Sequence, residues 1–92
     1  MTIAEFQDII AATFGEKDRR DGIRNAIAWL AEEVGELSQA SRKGTKEQQL
    51  HELGDVLAWT VSIAAQLGLS CEEAVARYAN GCPKCASTPC AC

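Results

Sequence analysis

A short pattern occurs twice in this sequence, AEEVGEL at residues 31–37 and HELGDVL at residues 51–57, and the two copies are symmetric about Gly44. Glu36 and Glu52 each lie eight residues from that glycine, and Glu33 and Asp55 each lie eleven away. Both copies sit in stretches whose apolar residues recur at helical spacing. Before the glycine these are Ile23, Ile27, Leu30, Val34 and Leu37, extended by Ser41; after it they are Leu50, Leu53, Val56, Leu57, Thr60, Ile63, Ala64 and Leu67. If the chain folds back at Gly44 as an antiparallel hairpin, equal rise per residue brings Glu36 level with Glu52 and Glu33 level with Asp55. Residues three apart lie about 60° from each other around a helix, so each helix presents its two carboxylates on one side.

The rest of the chain reads as helix too. Thr2 can cap a first helix carrying Ile3, Phe6, Ile10 and Phe14, with Gly15 as its stop and GEKDRRDG as a polar loop. The second helix spans about Ile23 to Lys43 and the third about Lys46 to Leu67, with Gly68 as its stop. Ser70 opens a short fourth helix, Glu73 completing a capping box, that runs to about Asn80. No alternating run suggests a strand. The expected fold is all-α, an antiparallel helical hairpin with two flanking helices over residues 1–80, followed by a Cys-rich tail over residues 81–92. A chain of 92 residues has a modest core of its own, so a homodimer or larger homo-oligomer is expected to complete the bundle.

Composition narrows the function. Hydrophobic residues at 47% and charged residues at 24% fit an ordinary globular protein, and no segment reaches the roughly 20 apolar residues of a membrane helix. The N-terminal MTIAEFQDII has acids where a secretory signal carries basic residues, which points to a cytoplasmic address and away from a membrane. A net charge of −4 argues against binding a nucleic acid polymer through its phosphate backbone. An acidic protein that handles phosphates does so most readily through a metal ion.

Counting about 100° per residue, Glu33 and Glu52 fall about 70–80° from the centres of their apolar stripes, at the border between core and solvent. Carboxylates crowded there repel one another unless a cation neutralises them. Oxygen-only ligands select hard ions such as Mg²⁺, Mn²⁺ or Ca²⁺, and magnesium suits bound phosphates. A di-iron bundle would use Glu-x-x-His pairs, which this sequence lacks. The competing interpretation is a non-catalytic, zinc-binding helical adaptor whose acids merely solvate the hairpin.

The segments EEVGEL and ELGDVL resemble the two-part acidic motif, EExxE followed by EExxD, of the MazG-type all-α nucleoside triphosphate pyrophosphohydrolases. The resemblance covers roughly residues 23 to 80. It implies that Glu33, Glu36, Glu52 and Asp55 bind Mg²⁺ or Mn²⁺, that Glu32 orients or activates the attacking water, and that a nucleoside triphosphate is split into monophosphate and pyrophosphate. His51 departs from the family pattern, standing where the second motif has its first Glu. The family's basic and amide nucleotide contacts would correspond to Arg77 and Asn80. Trp29 and Trp59 lie on the acid side of their helices, where they could stack on a base or pack in the core or a dimer contact. The cations Arg19, Arg20, Arg42, Lys43 and Lys46 could meet phosphates or simply be solvated. A biosynthetic phosphoribosyl-ATP pyrophosphohydrolase is similar in the same motif and stands as an alternative.

Five cysteines are present, and four of them fall in the terminal GCPKCASTPCAC, a distribution unlike that of a disulfide framework. Cys82 and Cys85 form a CPxC knuckle and Cys90 and Cys92 a CxC, the number and type of ligand for a closed structural Zn²⁺ site. Free or redox-active thiols are the alternative. Cys71, on the fourth helix, reads as a small packing residue.

Overall fold

In a computed structural model covering residues 1–92 the chain is helical throughout its ordered elements. The order is α1 (Ile3–Asp21), α2 (Ile23–Lys43), α3 (Lys46–Gln66) and α4 (Cys71–Val75), with a 3₁₀ turn at Ala76–Tyr78. No strand forms.

The helix starts follow from capping chemistry. The Thr2 hydroxyl accepts the N–H of Glu5 while the Glu5 carboxylate accepts the N–H of Thr2. Thr45 and Gln48 do the same at the start of α3, at 3.1 and 2.8 Å. At α4 the Ser70 hydroxyl accepts the Glu73 N–H at 3.2 Å, but the reciprocal bond of the expected capping box does not form.

Two expected boundaries move. Gly15 does not end the first helix; α1 continues through it to Asp21, and the expected loop GEKDRRDG is mostly its last turns. A helix-interior glycine costs only about 1 kcal/mol, and tertiary contacts of the turns beyond it outweigh that. Asp18, buried, accepts the Ser62 hydroxyl of α3 at 2.6 Å, and Lys17 pairs with Asp21 at 3.3 Å. Arg19 and Arg20 occupy the last turn, where cations oppose the helix dipole favourably. The fourth helix, expected to reach about Asn80, is instead a single turn of α-helix tightening into the 3₁₀ turn that ends at Tyr78.

The hairpin forms at the expected place. Gly44 ends α2 with φ −94°, an extended conformation open to any residue, so handedness is not why glycine stands there. Close approach is the reason: a Cβ at Gly44 would lie 2.8 Å from the Ala40 carbonyl oxygen and 2.9 Å from its Cα. The Gln49 amide then spans the turn, donating to that same Ala40 carbonyl at 3.0 Å. Helix α2 packs chiefly on α3, and α1 packs mainly on α3 and more lightly on α2.

A small core lies where α1, α3 and α4 meet. Ile10, Val61 and Cys71 are buried together, with Phe6, Ala58 and Ala64 packed against them, so Cys71 has the packing role expected of it. Gln7 fastens the α3–α4 connection, donating to the Leu69 carbonyl and accepting the Cys71 N–H, each at 2.8 Å. Only 8 of 92 residues are buried, and the radius of gyration of 15.2 Å exceeds the about 12 Å of a compact chain this long. Ile27, Val34, Leu50, Leu53 and Leu57 remain exposed along the hairpin. No helix is long and apolar enough to cross a membrane.

Replacing Gly44 with Ala pushes a methyl group into backbone that cannot move independently of the turn. Urea denaturation of Gly44→Ala is expected to show a loss of about 1–3 kcal/mol, the usual cost of overpacking; unchanged stability would show that the turn relaxes freely.

Candidate metal and nucleotide site

The acids arrive at one place because α2 and α3 run antiparallel from a common turn. Glu33 and Glu36, one turn apart on α2, meet Glu52 of α3, and one carboxylate oxygen from each lies within 4.8 Å of the others. Oxygens about 2.1 Å from a magnesium ion stand at most about 4.2 Å apart, so a few tenths of an ångström of closure would fit all three to one ion. Glu33 and Glu52 are half-buried and Glu36 is exposed.

Two observations distinguish this cluster from an ordinary solvated face. Glu33 Oε2 and Glu52 Oε2 are shielded from solvent yet have no hydrogen-bond partner. The only ion pairs in the chain are Lys17–Asp21 and His51–Asp55, so no basic side chain neutralises Glu33, Glu36 or Glu52. Burial, then the charge of Glu36 and that of Asp55, push the Glu33 carboxyl up to about 7. Glu52 is raised as well, first by burial and then by the closeness of the Glu36 carboxyl. Orphaned carboxylate oxygens with no basic side chain in ion-pair contact suit a hard divalent cation.

Asp55 stands at the edge of the group. Its Oδ2 lies 3.3 Å from Nε2 of His51, one turn earlier on α3, and its carboxylate is outside the three that converge. It is close enough to raise Glu33. The residue by which the sequence departs from the expected motif is therefore the one that engages the fourth acid. Glu32 is exposed on α2 and does not join the cluster.

Two recesses flank the acids. Toward the turn, an open groove of about 550 Å³ is lined by Glu36, Gln39, Lys43, Gln48 and Glu52 with Ala40 and Gly44. Toward the other end, a cavity of about 290 Å³ runs beside Glu33 between α1 and the hairpin, lined in part by Lys17, Asn25, Trp29 and Trp59. The two indoles stack with centroids 6.4 Å apart and planes 8° from parallel, and Trp29 is half exposed. A third recess, bounded by Phe14, Asp55 and Trp59, adjoins it. Arg77 and Asn80 are exposed and line none of these; the Arg77 guanidinium sits 5.0 Å from the Tyr78 ring centroid.

Lys17 and Asn25 did not emerge from the sequence as site residues. Lys17 lay in the segment read as a loop, and nothing local in the sequence indicates that α1 continues far enough to bring it beside Glu33. The Gln39 and Gln48 amides likewise carry no pattern; only the turn sets them on either side of one groove.

At the chain end, the sulfurs of Cys82, Cys85, Cys90 and Cys92 also lie within 4.8 Å of one another. Backbone N–H groups of Ala91 and Ser87 draw the Cys85 thiol down to about 6.

An all-helical hairpin with a carboxylate cluster across its two strands of helix defines the architectural class. The family model of the MazG nucleotide pyrophosphohydrolase domain matches residues 22–84, well over half of the chain, and the chain belongs to that family. No curated protein matches the sequence. The matched region contains α2, α3, all four candidate acidic ligands and, of the tail cysteines, Cys82 alone.

Folded Glu33 holds its proton to about pH 7, whereas an unfolded glutamate releases it near 4.5. The folded protein binds the extra proton across that interval, so this group favours the fold at low pH and loses that advantage as pH rises toward 7. In the presence of a chelator, the melting temperature of the parent relative to Glu33→Gln is expected to fall between pH 4.5 and 7. A difference that is flat or rises over this range would contradict the crowding described above.

Proposed function

We propose that the protein hydrolyses nucleoside triphosphates to a nucleoside monophosphate and pyrophosphate, with Glu33, Glu36, Glu52 and Asp55 as ligands of Mg²⁺ or Mn²⁺. Family membership supports nucleotide pyrophosphohydrolysis in general. The observation that carries the metal is the pair of buried, partnerless oxygens on Glu33 and Glu52 within a cluster that no basic side chain balances. When bound, the ion would offset phosphate charge and lower the pKa of a coordinated water.

The protein's own groups supply binding and orientation. The Lys43 ammonium and the Gln39 and Gln48 amides can donate to phosphate oxygens in the groove beside Glu36 and Glu52. At the opposite end, the faces of Trp29 and Trp59, with the amide of Asn25, offer a stacking and hydrogen-bonding place for a nucleobase next to Glu33. The triphosphate would thus lie along the hairpin with its nucleoside toward α1 and its terminal phosphates toward Gly44. Water cleaves the bond linking the α- and β-phosphates, its hydroxyl joining one phosphorus and the displaced oxygen leaving on the other. Glu32, by resemblance, receives the water proton. His51 holds Asp55 at the edge of the cluster, and Asp55 would have to release that contact to serve as a ligand beside Glu33.

The exposed apolar residues of the hairpin, including Leu50, Leu53 and Leu57, support a homodimer formed across that surface. Sedimentation is expected to give at least twice the 9.9 kDa chain mass, and Leu53→Asp to reduce it to one chain. A monomeric parent would remove this part of the proposal.

A panel of ribo- and deoxyribonucleoside triphosphates with Mg²⁺ or Mn²⁺ tests the activity, provided pyrophosphate and phosphate release are measured separately. Pyrophosphate release is expected to stop on chelation and to drop at least about 100-fold in Glu36→Gln, in keeping with the loss of a metal-holding or charge-stabilising group. Inactivity across the panel would exclude a broad triphosphate hydrolase.

A further inference from the structure

The tail lies outside the chemistry proposed for the acids, and its four cysteines need a different explanation. Residues 81–92, GCPKCASTPCAC, contain no large aliphatic or aromatic side chain. Burial of apolar surface cannot hold a twelve-residue segment of that composition in one shape, and small segments of this kind owe their order to disulfides or a metal.

The backbone is nonetheless folded tightly on itself. The Cys82 N–H donates to the Ser87 carbonyl at 3.1 Å and the Ala86 N–H returns to the Cys82 carbonyl at 2.7 Å, closing the Cys82–Cys85 knuckle. Ala86 turns the chain through the left-handed region at φ 55°. Gly81 enters the knuckle at φ 93°, and a Cβ there would lie 2.7 Å from the Ser87 carbonyl oxygen and collide with the Thr88 hydroxyl, so only glycine admits this overlap. The Ala91 N–H points at Cys85 Sγ at 3.4 Å, tying the second cysteine pair to the first.

This packing sets four sulfurs around one point. Cys82 and Cys92 Sγ are 3.8 Å apart and Cys90 and Cys92 Sγ 3.3 Å apart, with all four inside 4.8 Å. Four thiolates about 2.3 Å from one zinc ion at tetrahedral corners stand about 3.8 Å from one another. The thiols are all free.

We propose that Cys82, Cys85, Cys90 and Cys92 form a closed tetrathiolate zinc site that orders residues 81–92. Soft thiolate ligands in tetrahedral array take zinc or iron, and a hydrolytic domain has no electron to pass, which favours the redox-inert ion. Four sulfurs leave no position for water, so the site is structural. It shares no ligand with the acidic cluster at the hairpin.

The test uses the full chain, purified without a histidine tag under reducing conditions, with metal content measured after supplying equimolar Zn²⁺ and removing loosely held ions. One zinc per chain is expected. Cys85→Ser and Cys92→Ser are each expected to lose it, while Cys71→Ser, which alters only the helical core, and Glu36→Gln, which disables the acidic cluster, both retain it. Cobalt substituted in the parent is expected to give the visible absorption of a tetrahedral thiolate complex, a readout that stands even if a tail variant fails to fold. A parent without zinc, a parent holding iron, an octahedral cobalt spectrum, or full zinc retention in Cys92→Ser would each overturn the proposal. None of these measurements depends on triphosphate hydrolysis.

Discussion

Everything at the hairpin depends on holding three carboxylates near one another with no basic side chain among them. Glu33, Glu36 and Glu52 repel, and desolvation of Glu33 and Glu52 adds to the cost. Packing of α2 on α3 and the close turn at Gly44 sustain the arrangement, because neither helix can rotate its acids away without exposing the apolar side that meets its neighbour. Repulsion and desolvation are thus concentrated in one carboxylate cluster, within the region that the family model matches.

The remainder of the fold supports that hairpin from one side. Helix α1 reaches α3 through Ile10 at one end and the buried Asp18–Ser62 hydrogen bond at the other, and Gln7 anchors the start of α4. The opposite face, with Leu50, Leu53 and Leu57 in the open, has no such cover. The same short chain that forms a cleft between α1 and the hairpin is therefore too small to cover both faces of its own sheet of helices.

Much of this was legible in sequence because it is local or repetitive. The spacing of apolar residues gave α2 and α3 within a residue of their observed ends, and the repeat about Gly44 placed Glu36 opposite Glu52. Helix caps at Thr2 and Ser70 were visible as single residues ahead of apolar runs. The family resemblance rested on those same acids, and the match over residues 22–84 agrees with it. The misreading at Gly15 has a simple origin: glycine punctuates helices on average, but here the turns beyond it gain a buried partner 44 residues away.

The sequence by itself determined the helical periodicities, the turn and the symmetric register of the acids, since each depends on residues near in the chain or on equal counts from one point. Only the tertiary structure decided which acids converge. Glu33, Glu36 and Glu52 meet, while Asp55 turns toward His51, a competition between side chains that spacing alone does not resolve. It also decided what surrounds them: Lys17 and Asn25 on one side, Gln39, Lys43 and Gln48 on the other. Those neighbours come from separate elements, and their meeting is set by how helices pack, which no local pattern encodes.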